Sequence, residues 1–221
     1  MLKAHGHRNW WPGETPFEIM VGAILTQNTA WKNVEKAIAG LKREKLLSVS
    51  AIRRTPMAKL ARVIRPSGYF NQKAKKLKAL IQYLDERYNG SLQRMRRQPM
   101  KVLRPELLKV WGIGPETADS ILLYALEKPV FVVDAYTKRI FLRHRWIKTD
   151  SDYHQVQQLF MRHLPLDEKL FNDYHAQLVA VGNRYCGRSE PLCEKCPLQP
   201  FLPTDPPYAD RRETSEMNCI R

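Results

Sequence analysis

VWGIGPETADS, residues 110–120, sets two glycines and a proline between two helix-like runs and follows them with a glutamate. Upstream, Pro105 opens the run PELLKV, which reads as a short helix because proline is favoured in a first helical turn. Downstream, Ala118, Ile121, Leu122 and Ala125 recur at i, i+3, i+4 and i+7 and form one apolar helix face. Between the runs, Gly112 and Gly114 can take backbone angles closed to other residues, and their bare Cα atoms let a ligand approach the amides. Such a turn, with free N–H groups at the start of the second helix, suits a phosphate. It also suits a plain corner between two helices, where glycine is an ordinary choice. The turn alone leaves both readings open.

Composition weighs on that choice. The 221 residues suffice for one large domain or two small ones with a real core. Lys plus Arg number 37 against 22 Asp plus Glu, a formal charge of +15, which favours a polyanionic partner, nucleic acid or an anionic membrane surface. A membrane role is disfavoured. The longest apolar run, residues 19–25, is far short of a bilayer span and is interrupted by Gly22. The opening MLKAHGHRNWWPGE lacks the apolar middle of a signal peptide, so a cytoplasmic protein is expected. All four cysteines fall between Cys186 and Cys219, and a clustered set in a reducing compartment argues for metal rather than disulfides.

The periodic segments are helical. Val34, Ala37, Ile38 and Leu41 make one stripe, and Leu77, Leu80, Ile81, Leu84 and Tyr88 make a longer one. Val156, Leu159 and Phe160 mark a third; Leu170, Tyr174, Leu178 and Val181 mark a fourth. Residues 17–25 are apolar on most sides, as expected of a central buried helix. The strand-like residues 130–133 are too short and too closely flanked by helices to be more than a buried connector. After Pro203 the chain is polar and proline-bearing, which predicts irregular structure. The expectation is an all-α protein.

Asp134 follows the connector in FVVDAYTKR. An acidic residue opening a helix is commonly an N-cap. Here it precedes Lys138, Arg139, Arg143 and Arg145, which could hold a phosphate backbone while the carboxylate faces a sugar. A carboxylate so placed can stabilise the oxocarbenium-like charge of a breaking glycosidic bond, or activate water.

Taken together, VWGIGPETADSILLYAL and VFVVDAYTKRIF resemble the helix-hairpin-helix, Gly/Pro-rich loop and aspartate signature of the endonuclease III superfamily of DNA glycosylases. The likeness extends through PFEIMVGAILTQNTAW, RPSGYFNQKAKKLKAL and CGRSEPLCEKCPL, over most of residues 10–200. Within the superfamily it is similar to the 3-methyladenine DNA glycosylase III branch, in its Trp-Trp-Pro opening, its Leu-Thr-Gln-Asn-Thr turn and its Arg-Pro-Ser-Gly block.

The resemblance implies base excision on double-stranded DNA carrying a damaged base, by a monomer associated with the bacterial nucleoid while acting. It makes Asp134 the catalytic aspartate. Glu116 stands where bifunctional members carry the lysine that forms a Schiff base, and a carboxylate cannot form an imine, so no lyase reaction is implied. Gln27 matches the residue that fills the gap left by an extruded base, and Tyr69 the intercalating wedge. The Gly112 and Gly114 amides, with Lys138 and Arg139, would grip DNA phosphates. Trp10, Trp11, Pro12 and Trp31 match the aromatic base pocket of the 3-methyladenine branch. A purine methylated on a ring nitrogen is cationic, and indole faces attract cations by roughly 0.5–2 kcal/mol.

The spacing C-x6-C-x2-C of Cys186, Cys193 and Cys196 matches three ligands of the family's four-iron four-sulfur cluster. The fourth would stand at position 202, which is Leu202 here; the remaining cysteine is Cys219. Cys219 folding back, a non-protein ligand, or a degenerate site all stay open, as does zinc. The expected organisation is a helical domain over residues 22–130 carrying the hairpin, and a second formed by residues 1–21 plus 131–221. Two other functions are compatible with the sequence: a bifunctional glycosylase/lyase acting on oxidised pyrimidines, and a non-catalytic helix-hairpin-helix DNA-binding module.

Overall fold

The computed structural model describes residues 1–8, 11 and 13–204. Twelve α-helices run in chain order among them: α1 (Leu2–His5), α2 (Pro16–Leu25), α3 (Trp31–Arg43), α4 (Val49–Arg54), α5 (Met57–Val63), α6 (Phe70–Tyr88), α7 (Leu92–Arg96), α8 (Met100–Lys109), α9 (Pro115–Ser120), α10 (Ala135–Arg143), α11 (Tyr153–His163) and α12 (Glu168–Arg184). A π-helical turn, Ile121–Ala125, continues α9. The one β-type pairing among the described residues is an isolated bridge between Cys186 and Pro191. The fold is all-α.

The chain forms two compact units, Met1–Trp10 with Phe131–Arg221, and Trp11–Val130. The second takes in the whole of α2. At the centre of this unit, residues 17–25 of α2 are buried without exception, Glu18 included. Thr15 caps the helix by accepting the Glu18 N–H, with Pro16 in the first turn. Against α2 pack α3, α6, α9 and the π-helical turn. The α3 and α6 stripes are buried as their periodicity requires. Helix α8 is longer than PELLKV suggests: it starts at Met100 and contains Pro105 in its interior. Proline there forfeits one backbone bond, and the buried Leu103 and Leu107 on either side hold the helix against that cost.

In the other unit, the extended residues 131–133 run through the interior, where unpaired backbone groups are costly. Side chains satisfy three of them. Gln157 donates to the Phe131 carbonyl at 2.6 Å, Phe131 N–H donates to Met161 Sδ, and Val133 N–H to the Tyr153 hydroxyl. Phe131 stacks on Phe160 and meets Phe171 and Tyr174 edge-on. The buried face of α12 includes Leu178 and Val181 of the expected stripe, but in its first turns it is Phe171 and His175 that are buried and Leu170 is exposed; Leu159 on α11 is exposed too. Bulky Tyr136 lies where any Cβ on Gly182 would stand, at 2.3 Å, so glycine at 182 is what lets α10 and α12 approach. The N-terminal segment docks on α12, with Arg8 N–H donating to Asp173 and Gln177 to the Gly6 carbonyl.

The two hairpin helices are clamped by a bidentate pair. Arg104 of α8 donates from Nε at 2.7 Å and Nη2 at 3.0 Å to Asp119 of α9, whose side chain is fully buried. Removing one partner of a buried pair strands the other charge. Arg104→Met should therefore lower unfolding free energy on the order of 3 kcal/mol, read by urea denaturation.

Candidate active site

In the hairpin, Gly112 has φ 81°, a left-handed conformation, and a Cβ there would fall 2.4 Å from Lys76 Cγ. Gly114 has an ordinary φ of −90° and open space around it. Only the first glycine is forced by the turn; the bareness of the second is free for a close approach from outside. Pro115 and Glu116 open α9, and Glu116 is exposed in its first turn. Gln27 sits beside the turn and is tied to it. Its Nε2 donates to the Gly112 carbonyl at 3.1 Å and to Thr117 Oγ1 at 2.8 Å, and its Oε1 accepts from Lys76 Nζ at 2.5 Å. Tyr69 projects into solvent, 71 % exposed, from a left-handed backbone with φ 43°. A bulky residue held there is strained, and the strain places an aromatic ring outward at the start of α6.

The aromatic cluster of the same unit joins Trp11, Trp31 and Tyr124. Trp11 meets Trp31 edge-on at 5.3 Å between centroids and Tyr124 at 4.9 Å. Its indole lies on the bare face of Gly22. Trp11 and Trp31 line a pocket of about 530 Å3, open mouth included, together with Glu18, Glu35, Ile38 and Lys42. Trp31 Nε1 donates to Glu35 at 3.0 Å. Lys42 pairs with Glu14 and Glu18, and hydrogen bonds to those carboxylates raise its pKa above the ordinary lysine value. Trp10 and Pro12 lie outside the described residues.

In the unit carrying α10, Asp134 is the N-cap: its Oδ1 accepts the Thr137 N–H at 2.7 Å. The other oxygen lies 3.6 Å from His175 Nε2 on α12. Burial works to raise the Asp134 pKa, but the charge and hydrogen bonding of His175, and then Thr137, outweigh it and hold the carboxyl below its ordinary value. Asp134 is thus an ionised, oriented carboxylate. Sequence reasoning misses His175; the signal for it is a polar residue on the apolar face of α12.

The basic run after Asp134 divides. Lys138 is half-buried. Arg139, expected at a DNA phosphate, is instead buried: it donates to the Cys186 carbonyl at 2.8 Å and to that of Gly182, and lies over the Tyr136 ring. Arg143 donates to the carbonyls of Gly187 and Arg188, at 2.6 Å each, and to Cys186 Sγ at 3.2 Å. These arginines hold the cysteine loop because its irregular backbone leaves carbonyls with no helical partner.

Cys186, Cys193 and Cys196 are free thiols lining one cavity, and Leu202 is also in its lining. Burial pushes the Cys193 and Cys196 thiols up. Among the described residues no three His, Cys, Asp or Glu side chains converge on one metal ion. Cys219 lies outside the described residues.

A glycine-turned helical hairpin, an ionised helix-capping aspartate and a three-cysteine loop are together the parts of a helix-hairpin-helix DNA glycosylase. Residues 21–166 match the family model described as HhH-GPD superfamily base excision DNA repair protein. The chain belongs to that superfamily, and is a DNA glycosylase of it. It is 46% identical over 203 residues to a candidate DNA repair glycosylase of Methanocaldococcus jannaschii, covering 91% of each chain. It is 33% identical over 191 residues to endonuclease III of Thermotoga maritima, covering 83% of this chain and 81% of that one. Among solved structures, H. pylori 3-methyladenine DNA glycosylase (MagIII) bound to 1,N6-ethenoadenine aligns with TM-score 0.69 and 32% identity, over 79% of this chain and 88% of that one. An endonuclease III–DNA complex shares the fold, with TM-score 0.78 and 23% identity, over 98% and 93% of the respective chains. No helix among the described residues is long and apolar enough to cross a membrane.

The two hairpin glycines should respond differently to alanine. Gly112→Ala should destabilise by about 1–2 kcal/mol through its left-handed backbone and displace Lys76, whereas Gly114→Ala should melt within about 0.5 kcal/mol of the parent. Paired thermal denaturation curves measure both.

Proposed function

We propose that the protein hydrolyses the N-glycosidic bond of an alkylated purine such as 3-methyladenine in double-stranded DNA, leaving the abasic sugar uncleaved. The observation that carries the substrate reading is the Trp11–Trp31 pocket with Glu35 in its lining, where the charge of Glu18 is already answered by Lys42. Indole faces and carboxylates both favour a cation, and a ring-methylated purine is one. Trp10 and Pro12 would complete the pocket, as the resemblance implies. The 1,N6-ethenoadenine bound to the H. pylori relative is likewise a modified purine.

Asp134 would act on the sugar. As the bond from C1′ to the base breaks, its electron pair leaves with the base, and a cationic base departs neutral. The positive charge grows on the sugar, where an ionised carboxylate stabilises it until water adds to C1′ and gives up a proton. The lowered pKa of Asp134 keeps it charged throughout the neutral range, and the charge is lost only as pH falls below the ordinary aspartate value. His175 would hold it in place. Glu116 has no amine to attack the sugar, which supports hydrolysis without lyase chemistry. The Gly112 and Gly114 turn and Lys138 would contact phosphates, Tyr69 would wedge the stack, and Gln27 would fill the vacated space. Arg139, tied to the cysteine loop, drops out of this set.

Three cysteines around one cavity fit a four-iron four-sulfur cluster, since each thiolate binds a different iron and the sulfurs need not converge. Cys186, Cys193 and Cys196 would hold it, with Cys219 or a non-protein ligand in place of the thiolate absent at Leu202. The cluster's part would be to brace the loop that α10 carries.

The test is release of free base from duplexes carrying methylated, oxidised or deaminated bases. Methylated purine should be released, with strand breaks only after alkali and nothing trapped by borohydride; efficient trapping would instead reveal an amine nucleophile. Asp134→Asn should slow single-turnover release by about 10²–10³-fold with DNA binding intact, and near-normal turnover would remove Asp134 from the mechanism.

Anaerobically purified protein should be brown, with iron and sulfide in near-equal amounts. Cys219→Ser should lower the iron content if that thiolate is the fourth ligand; full iron in the mutant points to a non-protein ligand, and colourless wild-type protein to an empty loop.

A further inference from the structure

Lys73, in the first turn of α6, is 2 % exposed, yet it carries an ammonium group. Its Nζ donates to the Leu25 carbonyl at 2.8 Å and to the Ser67 carbonyl at 2.6 Å. Leu25 is the last residue of α2, and the turn beyond it carries Gln27. Ser67 ends the 3-10 turn Arg65–Ser67, and Tyr69 comes two residues later. Thr29, from the first of these turns, donates its hydroxyl to the same Ser67 carbonyl. One turn further along α6, Lys76 holds Gln27, and residues three apart on a helix share a face.

Burying an ammonium is expensive, and burial drives the Lys73 pKa down to about 8, with repulsion from Lys76 adding to the effect. Satisfying two carbonyls does not require a charge; waters or a neutral donor would serve. What an ammonium adds is two strong, charge-assisted bonds from one point. They fix the distance between two backbone turns that are otherwise joined through Thr29.

We propose that Lys73 is a positioning residue for DNA opening: by drawing the Leu25 and Ser67 carbonyls onto one ammonium, it sets the spacing of Gln27 and Tyr69, so that wedge and plug enter the base stack together. This rests on the roles proposed above for Gln27 and Tyr69. Displacing such groups by an ångström can cost about 10²-fold in a step that depends on alignment. Overall affinity should change little, because phosphate contacts supply most of it.

The experiment uses a duplex holding a tetrahydrofuran abasic analogue with 2-aminopurine opposite it, whose fluorescence rises when the probe base is unstacked. At saturating wild-type protein the fluorescence should rise. Lys73→Met keeps the length and removes the donor; the rise should fall to under about one-third while the dissociation constant moves less than about threefold. Thr29→Val, which removes only the second tie to Ser67, should give an intermediate rise. Circular dichroism verifies folding, and if Lys73→Met does not fold, Thr29→Val decides alone. A purely structural lysine would lower the melting temperature and leave the full rise below it, which would overturn the inference. Tyr69→Ala separates the underlying reading: it should abolish the rise. If wild-type protein binds and gives no rise, the wedge reading falls and this inference with it; if wild type and Lys73→Met rise alike, only the inference about Lys73 falls.

Discussion

Helix α2 is buried on every side, and the rest of its unit is arranged around the cost of that burial. A helix in water leaves its terminal N–H and C=O groups to solvent; one enclosed by protein must find partners for them nearby. At the N-terminus Thr15 and Pro16 meet the need locally. At the C-terminus the Leu25 carbonyl is met from another helix, by Lys73. In the helix's first turn, the buried carboxylate of Glu18 is answered by Lys42 from α3. The polar demands of one apolar helix thus specify where α3 and α6 must lie. They fix the turn after Leu25 as a by-product, and that turn carries Gln27.

Much of this architecture is legible in the sequence. The α3 and α6 stripes, the enclosed α2 and the lack of sheet among the described residues all follow from periodicity, because each is a repeating signal summed over several turns. Local signals that tertiary packing can override are less dependable. Pro105 reads as a helix start and lies inside α8, where Leu103 and Leu107 are buried. The α12 stripe holds at Leu178 and Val181 and reads one residue off at its start, because His175 on the buried face does not count as apolar while the exposed Leu170 does. Lys73 is invisible for a related reason: a lysine in an apolar position looks like a position on the solvent side. In the candidate site, Asp134 and the hairpin glycines are identifiable by residue type and order. What holds Asp134, and what holds Gln27, depends on long-range contacts that spacing does not encode.

Arginines show the limit of reading charge as partnership. Lys138, Arg139, Arg143 and Arg145 all read as residues that could hold a phosphate backbone. Two of them are used inside, since the cysteine loop presents carbonyls that no helix or strand pairs. Helix α10 consequently serves both ends of its length: its cap orients a carboxylate, and its later turns anchor an irregular loop. A chain with a formal charge of +15 can turn two arginines inward and still keep an excess of positive charge for its surface.

The π-helical turn at Ile121–Ala125 bears on how this chain can change in length. A π turn is an α-helix that has already absorbed one additional residue. A single-residue deletion inside a buried helix ordinarily leaves a gap in the register that the backbone cannot close. Here, deletion would let the backbone relax into regular α-helix. The side chains beyond the turn would keep their phase, since a π turn winds less per residue and has already taken up the rotation of the additional one; the change would fall on the residues within the turn. Tyr124, inside the turn, would change its packing against Trp11, its present neighbour. Length variation at this point would therefore act as a dial on the aromatic cluster, altering what packs on Trp11 while leaving the helical scaffold continuous.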